Sequence, residues 1–362
     1  MTSTQQPSAY AASGVSIEAG DRAVELMKEW VDKARRPEVV GGIGGFAGLF
    51  DASALKDYRR PLLATSADGV GTKVQIAQRM DVHDTIGYDL VGMLVDDLVV
   101  CGAEPLFMTD YIACGKVHPE RIAAIVRGIA EACSATGTAL VGGETAEHPG
   151  LLGADDYDVA GAAVGVVEAD AVLGPERVTD GDAVIAMASS GLHSNGFSLV
   201  RRVVADNNLP WDIKAPFAPE RTLAEALLVP TQIYVKNLLA LCRAARERPG
   251  LVKAMAHITG GGLVENVPRV IPDELTVEVD ATRWKLPPVF AWLAKAGGIE
   301  TAEMSRVFNC GIGMVLVAAA EDAEETTRRL QDSGETVYRL GSVTPRAGRA
   351  GCVVSNAGQA WG

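Results

Sequence analysis

No apolar run in this sequence approaches the ~20 residues needed to cross a bilayer. Its opening, MTSTQQPSAYAASG, has neither the basic start nor the apolar core of a secretory leader. Neither a membrane span nor export is expected, and the chain reads as cytoplasmic. Positive charge is also scarce, with 33 basic against 46 acidic residues and a net charge of -13. With no basic block to interrupt that field, nucleic acid and anionic membrane are excluded as partners. A phosphate-bearing small molecule is not, because backbone N–H groups and a divalent cation can hold phosphates without many lysines. The six cysteines form no C-x-x-C pair and sit among apolar residues, as buried reduced thiols do. No HExxH or other transition-metal spacing occurs, no serine nucleophile elbow, no Walker loop and no convincing dinucleotide fingerprint.

What is present is a chain of 362 residues, 48% apolar and 22% charged, long enough for two cores. Apolar periodicity predicts a helix over 21–36, stopped by Pro37, and a strand through Leu62–Thr65. A long apolar helix over 83–102 follows, then strands and helices in alternation, which implies an α/β arrangement with some α+β character. The polar stretch EADAVLGPERVTDG marks a boundary. The expected division is a disordered tail at 1–13, one domain at 14–172, a second at 173–345 and a tail at 346–362.

Glycine gathers where strands end: GGIGG at 41–45, DGVG at 68–71, VGGET at 141–145, GLHSNG at 191–196 and ITGGGL at 258–263. Glycine lets a backbone come close to a ligand, and strand-end loops are where α/β folds collect ligands. Each of these loops but the first carries Asp, Glu, His, Asn, Thr or Lys, which points to a phosphate site. A hard cation there needs carboxylates. Asp68 is one, and the 83–102 helix offers Asp89, Asp96 and Asp97, with Asp89 and Asp96 two turns apart on one face. A solvated acidic stripe and a Mg²⁺ site both fit that pattern. Of the five histidines, His83 and His118 read as surface residues at helix starts. His193 and His257 precede glycine loops and are candidates for catalysis.

Taken together, DGVGTK, DTIGYDLVGMLVDDLVVCGAEPLFMTDY, LVGGETAE, DYDVAG, SSGLHSNGFSLVR, HITGGGLVENVPRV and FNCGIGM resemble the phosphoribosylformylglycinamidine cyclo-ligase family from Tyr10 to about residue 345. The resemblance implies an N-terminal sheet domain that pairs across a homodimer and a C-terminal α/β domain. It implies use of ATP and Mg²⁺ to phosphorylate the formamide oxygen of formylglycinamidine ribonucleotide, after which a nitrogen closes the imidazole ring. It assigns Asp68 and Asp97 to the metal, with Gly69, Gly71, Thr72 and Lys73 on the ATP phosphates and Lys73 neutralising the transferred group. Gly44 and Gly45 would order over the nucleotide, and Glu144 would complete the metal shell or touch substrate. Ser194, Asn195, Thr259 and Gly260 would line the substrate wall, with Lys73, His193 and His257 as the catalytic candidates. Where the family commonly has an amide, this chain has Asp96, and Ala67 stands where Thr is frequent. The alternatives are a sister ATP-dependent kinase or synthetase such as a thiamine-monophosphate kinase, and a non-catalytic nucleotide-binding partner.

Overall fold

Ser16 starts the first helix. Its hydroxyl accepts the N–H of Ala19, so α1 (Ile17–Lys33) begins four residues before the apolar stripe suggests and ends ahead of Pro37. A short hairpin, β1 (Val39–Val40) with β2 (Leu49–Phe50), then carries the first glycine loop at its tip. The computed structural model describes residues 14–42 and 44–361, so the tail expected at 1–13 lies outside the described residues.

The first sheet is built from β3 (Pro61–Gly69), β4 (Glu104–Cys114), β5 (Ala139–Glu147) and β6 (Tyr157–Glu168), in the order β3-β6-β4-β5. β4 and β5 run parallel, and the other pairings are antiparallel. The strand that includes PLLA does not stop before DG. Asp68 and Gly69 are still paired, with Gly161 and Ala160. A 3-10 turn, Gly71–Lys73, then feeds α2 (Val74–Met80).

Helices α3 (Ile86–Val99) and α4 (Pro119–Thr136) cover one face of this sheet. They touch backbone to backbone: a Cβ on Gly87 would lie 2.0 Å from Ile129 N, and one on Gly128 would lie 2.1 Å from the Asp84 oxygen. This contact presses α3 onto the sheet, where Leu90 and Leu94 meet Gly161. α1 packs along α4. The opposite face is bare. Leu63, Thr65, Ala67, Thr109, Tyr111, Glu144 and Ala162 are exposed on it, Leu63 at 63%.

The second sheet holds β7 (Ala183–Ala188), β10 (Ala254–His257), β11 (Leu275–Asp280), β12 (Ile312–Ala318), β13 (Val337–Pro345) and β14 (Cys352–Ser355). Its order is β10-β12-β7-β13-β11-β14, antiparallel except for β11 with β14. The hairpin β8 (Lys214–Ala215) with β9 (Ala218–Thr222) stands outside it. The helices of this half are α5 (Phe197–Asp206), α6 (Leu223–Leu227), α7 (Val235–Ala245), α8 (Gly262–Asn266), α9 (Pro288–Gly297), α10 (Thr301–Val307), α11 (Ala323–Asp332) and α12 (Ala357–Trp361). α7 begins only at Val235, after an irregular stretch, Pro230–Tyr234, whose Thr231 and Tyr234 N–H groups bond Asp89 and Asp96 of α3.

Residues 346–361 do not trail away as expected. β14 adds an edge strand beside β11, and Trp361 packs edge-on against the Trp284 ring at 5.5 Å. The Cys-Val-Val-Ser stretch pairs because β11 presents an open edge that burial alone would leave unsatisfied.

Candidate active site

The face of the first sheet that α3 covers carries Asp68. Reading the register across the strands, Asp68, Gly161, Asp110 and Gly143 form one row. Side chains in one row share a face. The next row is Gly69, Ala160, Tyr111 and Glu144, on the bare face. Glu144 therefore does not complete a metal shell with Asp68 in the same chain. Alternation along β5 turns it to the other side of the sheet.

Asp97 projects from the last turn of α3 towards Asp68, its side chain 43% exposed. His257 ends β10, and its Nδ1–H donates to Asp97 Oδ1 at 2.9 Å. His257 Nε2 is buried with no protein partner. Burial works against a charged ring there. The bond to Asp97 and the charges of Asp96, Asp97 and Asp68 outweigh burial and hold His257 above its ordinary value. Asp68 is itself pushed up, by burial first and then by the negative charge of Asp97, against its bond from Gly69 N–H. The three side chains thus form one electrostatic cluster where the two domains meet.

The other acids of α3 belong to the interior, so the solvated stripe is ruled out. Asp96 is fully buried and accepts the Tyr234 N–H at 3.0 Å, capping α7 from outside its own helix. Burial pushes its carboxyl up to about 7. Asp89, also fully buried, accepts from Thr231 N at 2.8 Å, from Thr231 Oγ1 at 2.7 Å and from Lys73 Nζ at 2.9 Å.

Lys73 is not where the sequence reading put it. Its amine is buried, and its three N–H donors go to Asp89, the His193 carbonyl at 2.9 Å and the Val229 carbonyl at 2.8 Å. An ammonium has three donors and no more. None is left for a phosphate in this arrangement. Burial drives Lys73 down and Asp89 up, each opposed mainly by the charge of the other.

His193 also departs from expectation. The ring is buried, its Nε2 accepts the Ser190 N–H at 3.2 Å, and it faces Tyr234 at 6.1 Å. Burial pushes it far down, which favours the neutral ring over the imidazolium that a general acid would need. The residue's backbone is left-handed, at φ 59°. His83, read as a surface residue, is buried between Tyr157 Oη and Asp81, both at 2.9 Å.

The remaining candidates lie on the two loops that meet the DGVGTK turn. Thr72 Oγ1 lies 3.1 Å from Ser198 Oγ, and Ser194 Oγ donates to the Val70 carbonyl at 2.6 Å. Asn195 Oδ1 accepts the Gly260 N–H at 3.0 Å, tying the 191–196 loop to the 258–262 loop that carries Thr259. Gly71 is left-handed, at φ 73°. Gly44 and Gly45 stand apart: their loop is rooted on β5, where a Cβ on Gly48 would lie 2.3 Å from the Val141 oxygen. That is the edge of the sheet opposite Asp68.

Sequence reasoning missed the residues that hold these loops. Asn266 donates to the carbonyls of Gly260 at 3.0 Å and Gly262 at 2.9 Å. Asn309 accepts the Gly311 N–H at 2.8 Å and donates to the Gly191 carbonyl at 2.9 Å. Their only advance signal is an asparagine next to a glycine loop. Asp110, in the Asp68 row, was missed too, and burial pushes its carboxyl up to about 7.

Asp110 sets a pH prediction. A carboxyl raised from 3.8 to about 7 gives stability that is whole below pH 3.8 and lost as pH rises through 7. The rise corresponds to roughly 4 kcal/mol at most. Asp110→Asn should therefore stabilise the chain more at pH 8 than at pH 5, read from urea midpoints. A difference independent of pH would overturn this account.

Among the described residues no group of three His, Cys, Asp or Glu side chains is set to hold a metal on its own. Two clefts, of about 220 and 390 Å³, lie elsewhere, one beside Ser189–Leu192 and Arg221, the other between Glu168 and Arg243.

The N-terminal domain model of the AIR synthase related proteins matches residues 51–167, and the C-terminal domain model matches residues 179–352. The chain belongs to the AIR synthase related family. Within that family it is 51% identical over 342 residues to the phosphoribosylformylglycinamidine cyclo-ligases of Burkholderia mallei strains SAVP1 and NCTC 10229, covering 94% of each chain. The AIR synthase fold also matches solved structures at low identity. Thiamine-monophosphate kinase from Stenotrophomonas maltophilia K279a aligns with a TM-score of 0.66 at 17% identity, over 91% of this chain and 96% of that one. Hydrogenase maturation protein HypE in complex with ATP aligns with a TM-score of 0.65 at 18% identity, over 95% and 93%. These two establish the shared fold.

Proposed function

We propose that the chain closes the imidazole ring of aminoimidazole ribonucleotide at the cost of ATP. The γ-phosphoryl group passes to the formamide oxygen of formylglycinamidine ribonucleotide, giving ADP and an imino-phosphate. A nitrogen of the amidine side then attacks that carbon, forming the C–N bond and expelling phosphate. Phosphorylation is needed because an amide oxygen is a poor leaving group, and the transfer asks mainly for positioning and charge neutralisation. The observation that carries this reading is 51% identity across 94% of both chains to cyclo-ligases.

The site supports it in detail. Asp68 and Asp97 lie close enough for one charge to raise the other's pKa, a pattern that a hard cation resolves. Mg²⁺ held by these two carboxylates and by ATP oxygens would neutralise the charge that develops on the transferred group. Gly69, Gly71 and Thr72 bring backbone and hydroxyl groups to the phosphates. His257 acts as a positioning residue, its Nδ1–H fixing the Asp97 carboxylate as an outer-shell partner does. Ser194, Asn195, Thr259 and Gly260 form the wall nearest the substrate. We further place a homodimer interface on the bare face of the first sheet. A second copy seated there is what would bring Gly44 and Gly45 to a nucleotide.

The test is turnover. Purified protein with formylglycinamidine ribonucleotide, ATP and Mg²⁺ should yield aminoimidazole ribonucleotide and ADP. No product, beside brisk phosphorylation of thiamine monophosphate, would overturn the reading in favour of a sister kinase.

A further inference from the structure

The buried Lys73–Asp89 pair is unusual in that nearly everything satisfying it comes from the other domain. Both residues belong to the first domain, Lys73 on the turn after β3 and Asp89 on the first turn of α3. Their remaining partners, the His193 and Val229 carbonyls and the Thr231 N–H and hydroxyl, all belong to the second. The ring of Phe197, which opens α5, lies 5.4 Å from the amine.

We propose that Lys73 and Asp89 form an inter-domain latch that positions the 191–196 loop over the DGVGTK turn, and that Lys73 does not contact the transferred phosphate. The latch grips the loop at its least comfortable residue. His193 is a non-glycine in the left-handed region, a conformation that persists only where its surroundings fix it. The Lys73 N–H bond to the His193 carbonyl is part of that fixation. The two residues that follow carry its consequence. Ser194 bonds back to Val70 in the turn, and Asn195 holds Gly260 of the neighbouring loop. If the pair loosens, the substrate wall shifts relative to Asp68 and Asp97 although neither is altered.

This inference rests on the functional reading above, and the test separates the two. Lys73→Met, Asp89→Asn and the double variant are made in the full-length protein. Cyclisation is measured per folded molecule, with the KM for ATP, and folding is checked by denaturant titration. Each single variant leaves one buried charge unpaired. Its kcat should fall roughly ten- to a hundred-fold, the scale of a small misplacement, with KM for ATP unchanged. The double variant removes both charges yet keeps an Asn oxygen for the two Thr231 donors, and neutral replacement of a buried pair is tolerated where breaking it is not. It should therefore fold, with kcat still as low as in Lys73→Met because the bond to the His193 carbonyl is gone, and with KM for ATP unchanged.

A raised KM for ATP in the folded double variant would place Lys73 on the phosphate and overturn the latch. Folded single variants of undiminished kcat would overturn it as well, leaving the pair a stability element alone. Should the single variants fail to fold, the double variant decides by the same two results. Failure of the unsubstituted protein to cyclise would strike the functional reading instead.

Discussion

Asp97→Asn is expected to lower Mg²⁺-dependent kcat by roughly three powers of ten, the scale for deleting one electrostatic stabiliser of a transition state. The fold should survive. The Asp97 side chain is 43% exposed, and Asn keeps an oxygen to accept from His257 Nδ1–H. What Asn loses is the charge that a hard cation needs. Initial rates at graded Mg²⁺, with the urea midpoint as the control for folding, check this. Turnover that persists with an unchanged Mg²⁺ dependence would remove Asp97 from the metal site. The neighbouring Asp96→Asn makes the contrast. Asp96 caps α7 from the interior, so its substitution should move stability and leave the Mg²⁺ dependence in place.

Ala162→Glu is expected to convert a dimer into a monomer. Ala162 is exposed in the middle of the bare face, between Ala67 on β3 and Thr109 on β4. In a single chain a glutamate there points into water and costs little. Against a second copy it would bury a carboxylate without a partner, at a cost of several kcal/mol, which weakens association roughly a thousandfold. Sedimentation velocity at micromolar concentration should show the unsubstituted chain as a dimer and the variant as a folded monomer. A monomer in both cases would overturn the interface. If the site draws Gly44 and Gly45 from the second copy, the monomer should also bind ATP more weakly.

The alternation of strands and helices was legible because each element carries its own period, and so were the glycine loops at the ends of β3, β7 and β10. The meaning of single polar residues was not. Asp89, Asp96 and Asp97 are alike in sequence, yet one pairs with a buried lysine, one caps a helix and one reaches the surface. Helical spacing groups Asp89 with Asp96, but it cannot say what packs on that face. The answer lies in Thr231 and Tyr234, far along the chain. Lys73 misled for the same reason, since a lysine after a glycine turn looks free until the second domain covers it. Glu144 was misplaced by a single step of strand alternation. β14 escaped because four residues are too few for a period, and its partner lies in the middle of the second half.

That last strand has a consequence for how the protein is made. The first sheet is complete by Glu168, and domains generally fold in order of synthesis. The second sheet needs Cys352–Ser355 on its edge, and those residues are made some seventy positions after the strand they pair with, Leu275–Asp280. The first half can therefore fold while the second is still being made, whereas the second cannot finish its sheet until Cys352–Ser355 has emerged. In between, the strand that awaits β14 is an open edge on a nascent protein.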